Sequence, residues 1–92
     1  MIEFLMHVEQ DTVGVAVVDI KAGRRVTGRI LHGAASPKVR ARADIPLGHK
    51  IALRDFKPGD TVVKYGEDIG KVVVPIKRGE LVHVHNLKTK RW

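Results

Sequence analysis

The chain has 92 residues, 43% of them hydrophobic, and sets 17 Lys and Arg against 10 Asp and Glu for a formal charge of +7. That length allows one small domain with a modest core, and the composition excludes a disordered chain and any apolar run long enough for a membrane span. There is no cysteine, which excludes disulfides, iron–sulfur ligation by this chain and thiol chemistry.

The chain opens Met1-Ile2-Glu3-Phe4-Leu5-Met6, with an acid where a secretory signal has its basic region, so a cytoplasmic location is expected. Its apolar residues are mainly Val and Ile, helical periodicity is almost absent, and short runs are divided by Gly and Pro. This is the composition of an all-β chain. It predicts strands over residues 2–8, 12–18, 25–31, 39–43, 50–53, 61–64, 69–74 and 81–85, within one domain spanning 1–92. Gly33-Ala34-Ala35-Ser36-Pro37 reads as a loop.

A local pattern, apolar-x-x-Gly-x-x-apolar, recurs four times: Ile20/Gly23/Val26, Ile45/Gly48/Ile51, Phe56/Gly59/Val62 and Ile76/Gly79/Val82. In each, the first apolar residue anchors a turn in the core, Gly supplies a backbone angle that other residues resist, and a strand follows. The unequal spacing makes this a repeated corner and not a solenoid.

Three stretches could carry chemistry. In Asp44-Ile45-Pro46-Leu47-Gly48-His49-Lys50, a tight turn delivers His49 and Lys50 side by side; free backbone N–H groups would make it an anion cradle, and otherwise it is a solvated corner. Lys64 and Tyr65 end a strand before the turn Gly66-Glu67-Asp68-Ile69-Gly70. Lys64 could hold a carboxylate and Tyr65 could donate a hydrogen bond, or the two could simply close a hairpin. In Val82-His83-Val84-His85-Asn86, the period of two would send both imidazoles to one face, with Asn86 ending the strand. Two histidines suggest half a metal site, yet zinc or iron usually takes three or more protein ligands and no second cluster completes the set. A solvated edge strand is the alternative.

Nucleophile motifs, the phosphate-binding P-loop and the dinucleotide fingerprint are all missing. The positive charge could serve nucleic acid, an acidic protein or a small polyanion. Scattered aromatics and the lack of a basic helical face argue against nucleic acid. A chain this small would struggle to enclose a pocket, so any catalysis would complete a site on a larger chain.

The run Ile45-Pro46-Leu47-Gly48-His49-Lys50-Ile51-Ala52-Leu53, then Gly59-Asp60, Val63-Lys64-Tyr65-Gly66, Ile69-Gly70, Gly79 and His83-Val84-His85-Asn86, resembles the SAF domain of the altronate and galactarate dehydratases. Asp11-Thr12-Val13-Gly14-Val15-Ala16-Val17 matches that domain's opening strand, and only residues from about 24 to 43 carry no recognisable signature. The resemblance implies a compact β-clip (SAF-like) fold with Gly48, Gly59, Gly66, Gly70 and Gly79 as corner glycines. A short chain ending Lys88-Thr89-Lys90-Arg91-Trp92 is most like the family's free-standing small subunits. The reaction implied is β-elimination from an anionic 2-hydroxy acid, with sulfite leaving sulfolactate as the first expectation and water leaving an aldonate such as altronate as the second. A non-catalytic interaction module of such a complex is a further alternative.

By the same resemblance, the partner is a large dehydratase-like subunit that carries most of the site and a divalent metal, iron. No membrane or nucleic acid is implied, and the isolated chain is expected to be inactive and could self-associate. His83 and His85 become the candidate proton carriers or metal ligands. His49, Lys50, Lys64, Tyr65 and Asn86 become the candidate groups for substrate and anion binding.

Overall fold

Alternating valines and isoleucines become nine short strands in a computed structural model that describes residues 1–64, 67–83 and 86–89. These are β1 (Phe4–Val8), β2 (Val13–Ala16), β3 (Arg25–His32), β4 (Lys38–Arg40), β5 (Lys50–Ala52), β6 (Thr61–Lys64), β7 (Glu67–Val72), β8 (Leu81–Val82) and β9 (Leu87–Thr89). No helix occurs among the described residues, as the composition predicts.

A six-stranded sheet has the order β4-β3-β1-β2-β5-β8, and a three-stranded sheet the order β6-β7-β9. Only β1 and β3 pair in parallel; every other pairing of named strands is antiparallel. The larger sheet curls, so that just past β4 the Arg42 N–H donates to the Gly79 carbonyl before β8 (2.9 Å). Its two ends in strand order are thereby brought together.

Strand alternation supplies two cores. Along β2 and β5, Ala16 and Ile51 turn to one cluster with Phe4, Met6, Ile20, Val26 and Ile45. Val13 and Ala52 turn to a second cluster with Phe56, Val62, Val72, Ile76 and Val82. Phe4 is fully buried, and its ring occupies the room left by glycine on β3: a Cβ on Gly28 would sit 2.1 Å from the ring. Truncating a ring so enclosed costs about 3–5 kcal/mol.

The four repeated corners are real and pair off. Ile20 and Ile45 exchange both backbone hydrogen bonds (2.9 and 2.8 Å), and Phe56 and Ile76 do the same (2.7 and 3.0 Å). All four anchors are buried, and Gly23, Gly48, Gly59 and Gly79 have φ of 87°, 87°, 94° and 93°. Gly70 departs from the corner role. It lies within β7, where a Cβ would meet the Lys88 carbonyl at 2.5 Å, so it permits close approach of β9. Gly66 lies outside the described residues.

Two ends differ from expectation. The acidic pair Glu67 and Asp68 belongs to β7 and not to the turn before it. The last expected strand, 81–85, stops at Val82, and Leu87–Thr89, read as basic tail, forms β9. The cause is a turn: the Asn86 and Leu87 N–H groups both donate to the His83 carbonyl (3.1 and 2.9 Å). The chain thereby leaves the large sheet and joins the small one.

Candidate functional site

The corner Asp44-Ile45-Pro46-Leu47-Gly48 feeds directly into β5, so His49 and Lys50 are fixed by a buried anchor at Ile45. Its backbone donors are occupied. Leu47 N–H donates to Asp19 Oδ1 (2.9 Å), Gly48 N–H to the Ala16 carbonyl (2.8 Å) and His49 N–H to the Pro46 carbonyl (2.9 Å). The expected backbone anion cradle is therefore not formed, because the corner uses those N–H groups to hold itself together. The side chains remain.

The register Lys50↔Val82 sets His49 next to His83, and their rings lie 5.2 Å apart, centroid to centroid, tilted by 54°. Two imidazoles so placed can serve one small ligand or pass a proton between it and solvent. The turn that holds His83 is shaped by Asn86. This side chain, expected among the anion ligands, is buried; its oxygen accepts from His83 N–H (2.9 Å) and its nitrogen donates to the Leu81 carbonyl (2.7 Å). Asn86 thus sets the position of His83.

Neighbours along a strand leave opposite faces, so Lys50 emerges on the face it shares with its register partners Val15 and Val82. Lys64 ends β6, which is tied to the start of β2 by Thr12: its N–H donates to the Val63 carbonyl (2.8 Å), and its Oγ1 accepts from Val63 N–H (2.9 Å). The Lys50 ammonium is held below the ordinary lysine range, first by burial and then by the charge of Lys64. Two cations gathered on a partly buried face favour an anion between them. Lys64 also lines a cavity of about 170 Å³ whose other walls are largely apolar, among them Leu5, Val15, Val17 and Leu31.

His85 and Tyr65 lie outside the described residues. Among the described residues no three His, Cys, Asp or Glu side chains converge as metal ligands, so this part of the chain does not by itself fit a metal ion. Sequence reading missed the job of Thr12, whose partner is 51 residues away, and the Asx-type signal in Asn86 that turns the chain.

No helix among the described residues is long and apolar enough to cross a membrane. Residues 2–90 match the altronate/galactarate dehydratase SAF domain. The chain is 47% identical over 92 residues to the (2R)-sulfolactate sulfo-lyase subunit alpha of Chromohalobacter salexigens, covering 99% of this chain and 98% of that one. It is 60% identical over 55 residues to the subunit of the same name from Paracoccus pantotrophus, covering 60% of this chain and 82% of that one. It is also 43% identical over 89 residues to the altronate dehydratase of Bacillus subtilis, covering 97% of this chain but only 17% of that enzyme. A match across nearly the whole chain, together with a fold of short strands and glycine corners, places this chain in the altronate/galactarate dehydratase SAF domain family.

Proposed function

We propose that this chain is the small subunit of a lyase that removes sulfite from (2R)-sulfolactate to leave pyruvate, and that it forms one wall of an active site completed by a large dehydratase-like subunit. The observation that carries this reading is the pairing of His49 with His83, set by the β5–β8 register, in a chain similar along nearly its whole length to an alpha subunit of that activity.

The chemistry sets the requirements. A base takes the proton from C2, the C3–S bond breaks with its electron pair leaving on sulfite, and the resulting enol gains a proton at C3 to become pyruvate. Sulfolactate carries two negative charges, a carboxylate and a sulfonate. Lys50 and Lys64 add positive charge on the face of β5 opposite the imidazoles, which favours the approach of such an anion. The His49–His83 pair, with His85 two residues beyond His83 in sequence, supplies groups able to hold or move the proton. Leu47, at the tip of the corner that delivers His49, is 61% exposed, as suits a surface that the large subunit covers. The divalent metal belongs to the large subunit in this reading, and the complex works in the cytoplasm.

The test is reconstitution with the large subunit and measurement of sulfite release. The isolated chain is expected to show no turnover. His83→Ala is expected to lower kcat of the assembled enzyme by about a hundredfold, the usual scale for a lost acid–base group. Full activity in both His83→Ala and His85→Ala complexes would end the catalytic role of this stretch.

A second reading, water loss from an aldonate, draws on the likeness to altronate dehydratase. It predicts release of a 2-oxo-3-deoxy acid from altronate by the same complex, with no sulfite from sulfolactate.

A further inference from the structure

Cations that are scattered along the sequence are gathered by the topology on the other side of β4. A groove of about 750 Å³ runs between that strand and the corner at Gly79, and Arg25, Lys38, Arg40, Arg42 and Arg78 line it. No carboxylate is among the described residues of its lining. Arg25 and Arg40 stand directly opposite in the β3–β4 register, an arrangement of like charges that weakens a sheet.

The groove is also held in shape. Arg78 Nη2 donates to the Lys38 carbonyl (2.7 Å), Arg40 Nη1 donates to the Gly23 carbonyl (3.1 Å), and Arg78 N–H is held by Asp55 Oδ1 (2.8 Å). Gly79 makes this closeness possible, since a Cβ there would lie 2.1 Å from the Arg40 carbonyl oxygen. Four of the five cations are arginines, the side chain whose planar fork matches a carboxylate, and two of those forks are anchored by backbone oxygens.

From this geometry we infer that the groove beside β4 is a docking site for an acidic polypeptide segment of the partner subunit. The choice of partner rests on the reading above. In the Bacillus subtilis enzyme a similar segment is 17% of one longer chain, whereas the alpha-subunit relatives are separate chains, so a separate chain needs a contact that replaces the covalent link. Opposite charge provides both that contact and faster encounter. Nucleic acid fits less well, because no aromatic side chain on which a base could stack is among the described residues of the lining.

Two measurements test the inference. The first follows binding of a fluorescent octaglutamate peptide to the full chain at low salt. The Arg40→Glu/Arg78→Glu chain is compared with Lys21→Glu/Lys57→Glu, which changes net charge equally at exposed lysines outside the groove. Peptide affinity is expected to fall about tenfold or more in the groove variant and about twofold or less in the control. Arg40→Gln/Arg78→Gln, verified as folded by thermal melting, is expected to weaken binding in the same direction. Equal losses in groove and control variants would overturn the inference by reducing it to net charge. So would a single-stranded oligonucleotide of equal charge that binds more tightly than the peptide, or tripolyphosphate that binds the groove in preference to it.

The second measurement is association with the large subunit. The groove variants are expected to slow association about tenfold while leaving kcat of the saturated complex unchanged. Unchanged association would overturn the inference. If the unmodified chain fails to bind the large subunit at all, the proposed function fails, and the peptide measurement still decides the groove.

Discussion

In the first pair of corners, Asp19 accepts from Leu47 N–H and Asp44 accepts from Ala22 N–H (2.9 Å each), a reciprocal exchange across the Ile20–Ile45 bridge. In the second pair only half of that exchange exists. Asp55 accepts from Arg78 N–H, but the matching donor position is Pro58, which has no N–H, and Pro75 stands where the matching acid would be. The acid occurs only where there is a donor for it.

A second difference bears on function. Asp60 and Glu80 each close their own turn by accepting from Lys57 N–H (2.9 Å) and Lys77 N–H. The same position in the other two corners is Arg24, which pairs with Glu3 (3.1 Å), and His49. At the His49 corner the donor position is Pro46, so an acid there would have no N–H to hold. His49 makes only a long contact inside its turn, from ring Nδ1 to the Leu47 carbonyl (3.5 Å), where the acids make a short one. The comparison teaches how one repeated scaffold yields three structural corners and one that can carry a site.

The largest expected effect tests the one corner packed against another strand. Gly79→Ala combines a positive φ with a clash against Arg40, and should cost about 3 kcal/mol or more. Gly59→Ala has the same φ but open space around it, and should cost about 1 kcal/mol. Denaturant melts of the two variants decide this; equal losses would show that the packing at Gly79 is slack.

Next come the turn-closing residues. Asp60→Ala and Glu80→Ala should each cost about 0.5–1.5 kcal/mol for a lost hydrogen bond. His49→Ala should change stability by less than about 0.5 kcal/mol, while lowering activity of the assembled enzyme. A large stability loss at His49 would place it with the structural corners. Of similar size is the asymmetry of the prolines: Asp55→Ala should cost about 1 kcal/mol, whereas Pro75→Asp should gain nothing measurable, because Pro58 cannot donate.

The smallest effect is in pH. Lys50 has its pKa lowered in the folded chain, by burial and then by Lys64, from the ordinary 10.5. Between the lowered value and 10.5 the unfolded chain binds more protons than the folded one, so stability should rise with pH across that window. Below it, the charged Lys50 is a fixed cost. Lys50→Met should remove this slope in melts taken at rising pH; an unchanged slope would assign it to another group.

Eight of the strands and all four corners were legible in the sequence, because period-two valines and an anchored glycine are local signals. β9 was hidden by its composition: Leu87 is core, but it stands among lysines and reads as tail. Adjacency in sequence correctly brought His49 and Lys50 to one strand end, yet it could not show that His49 meets His83 across the β5–β8 register or that the charge of Lys64 bears on Lys50. That division depends on which strands become neighbours. The basic groove was invisible for the same reason, since its cations come from positions as far apart as Arg25 and Arg78.

The chain passes from β8 to β9 through the turn that Asn86 holds. β8 pairs with β5 in one sheet and β9 pairs with β7 in the other, so this short passage acts as a latch between the two sheets. His83 hangs on that latch. Undocking of β9 therefore reaches the imidazole pair through Asn86, and the geometry of that pair reports whether the two sheets are joined.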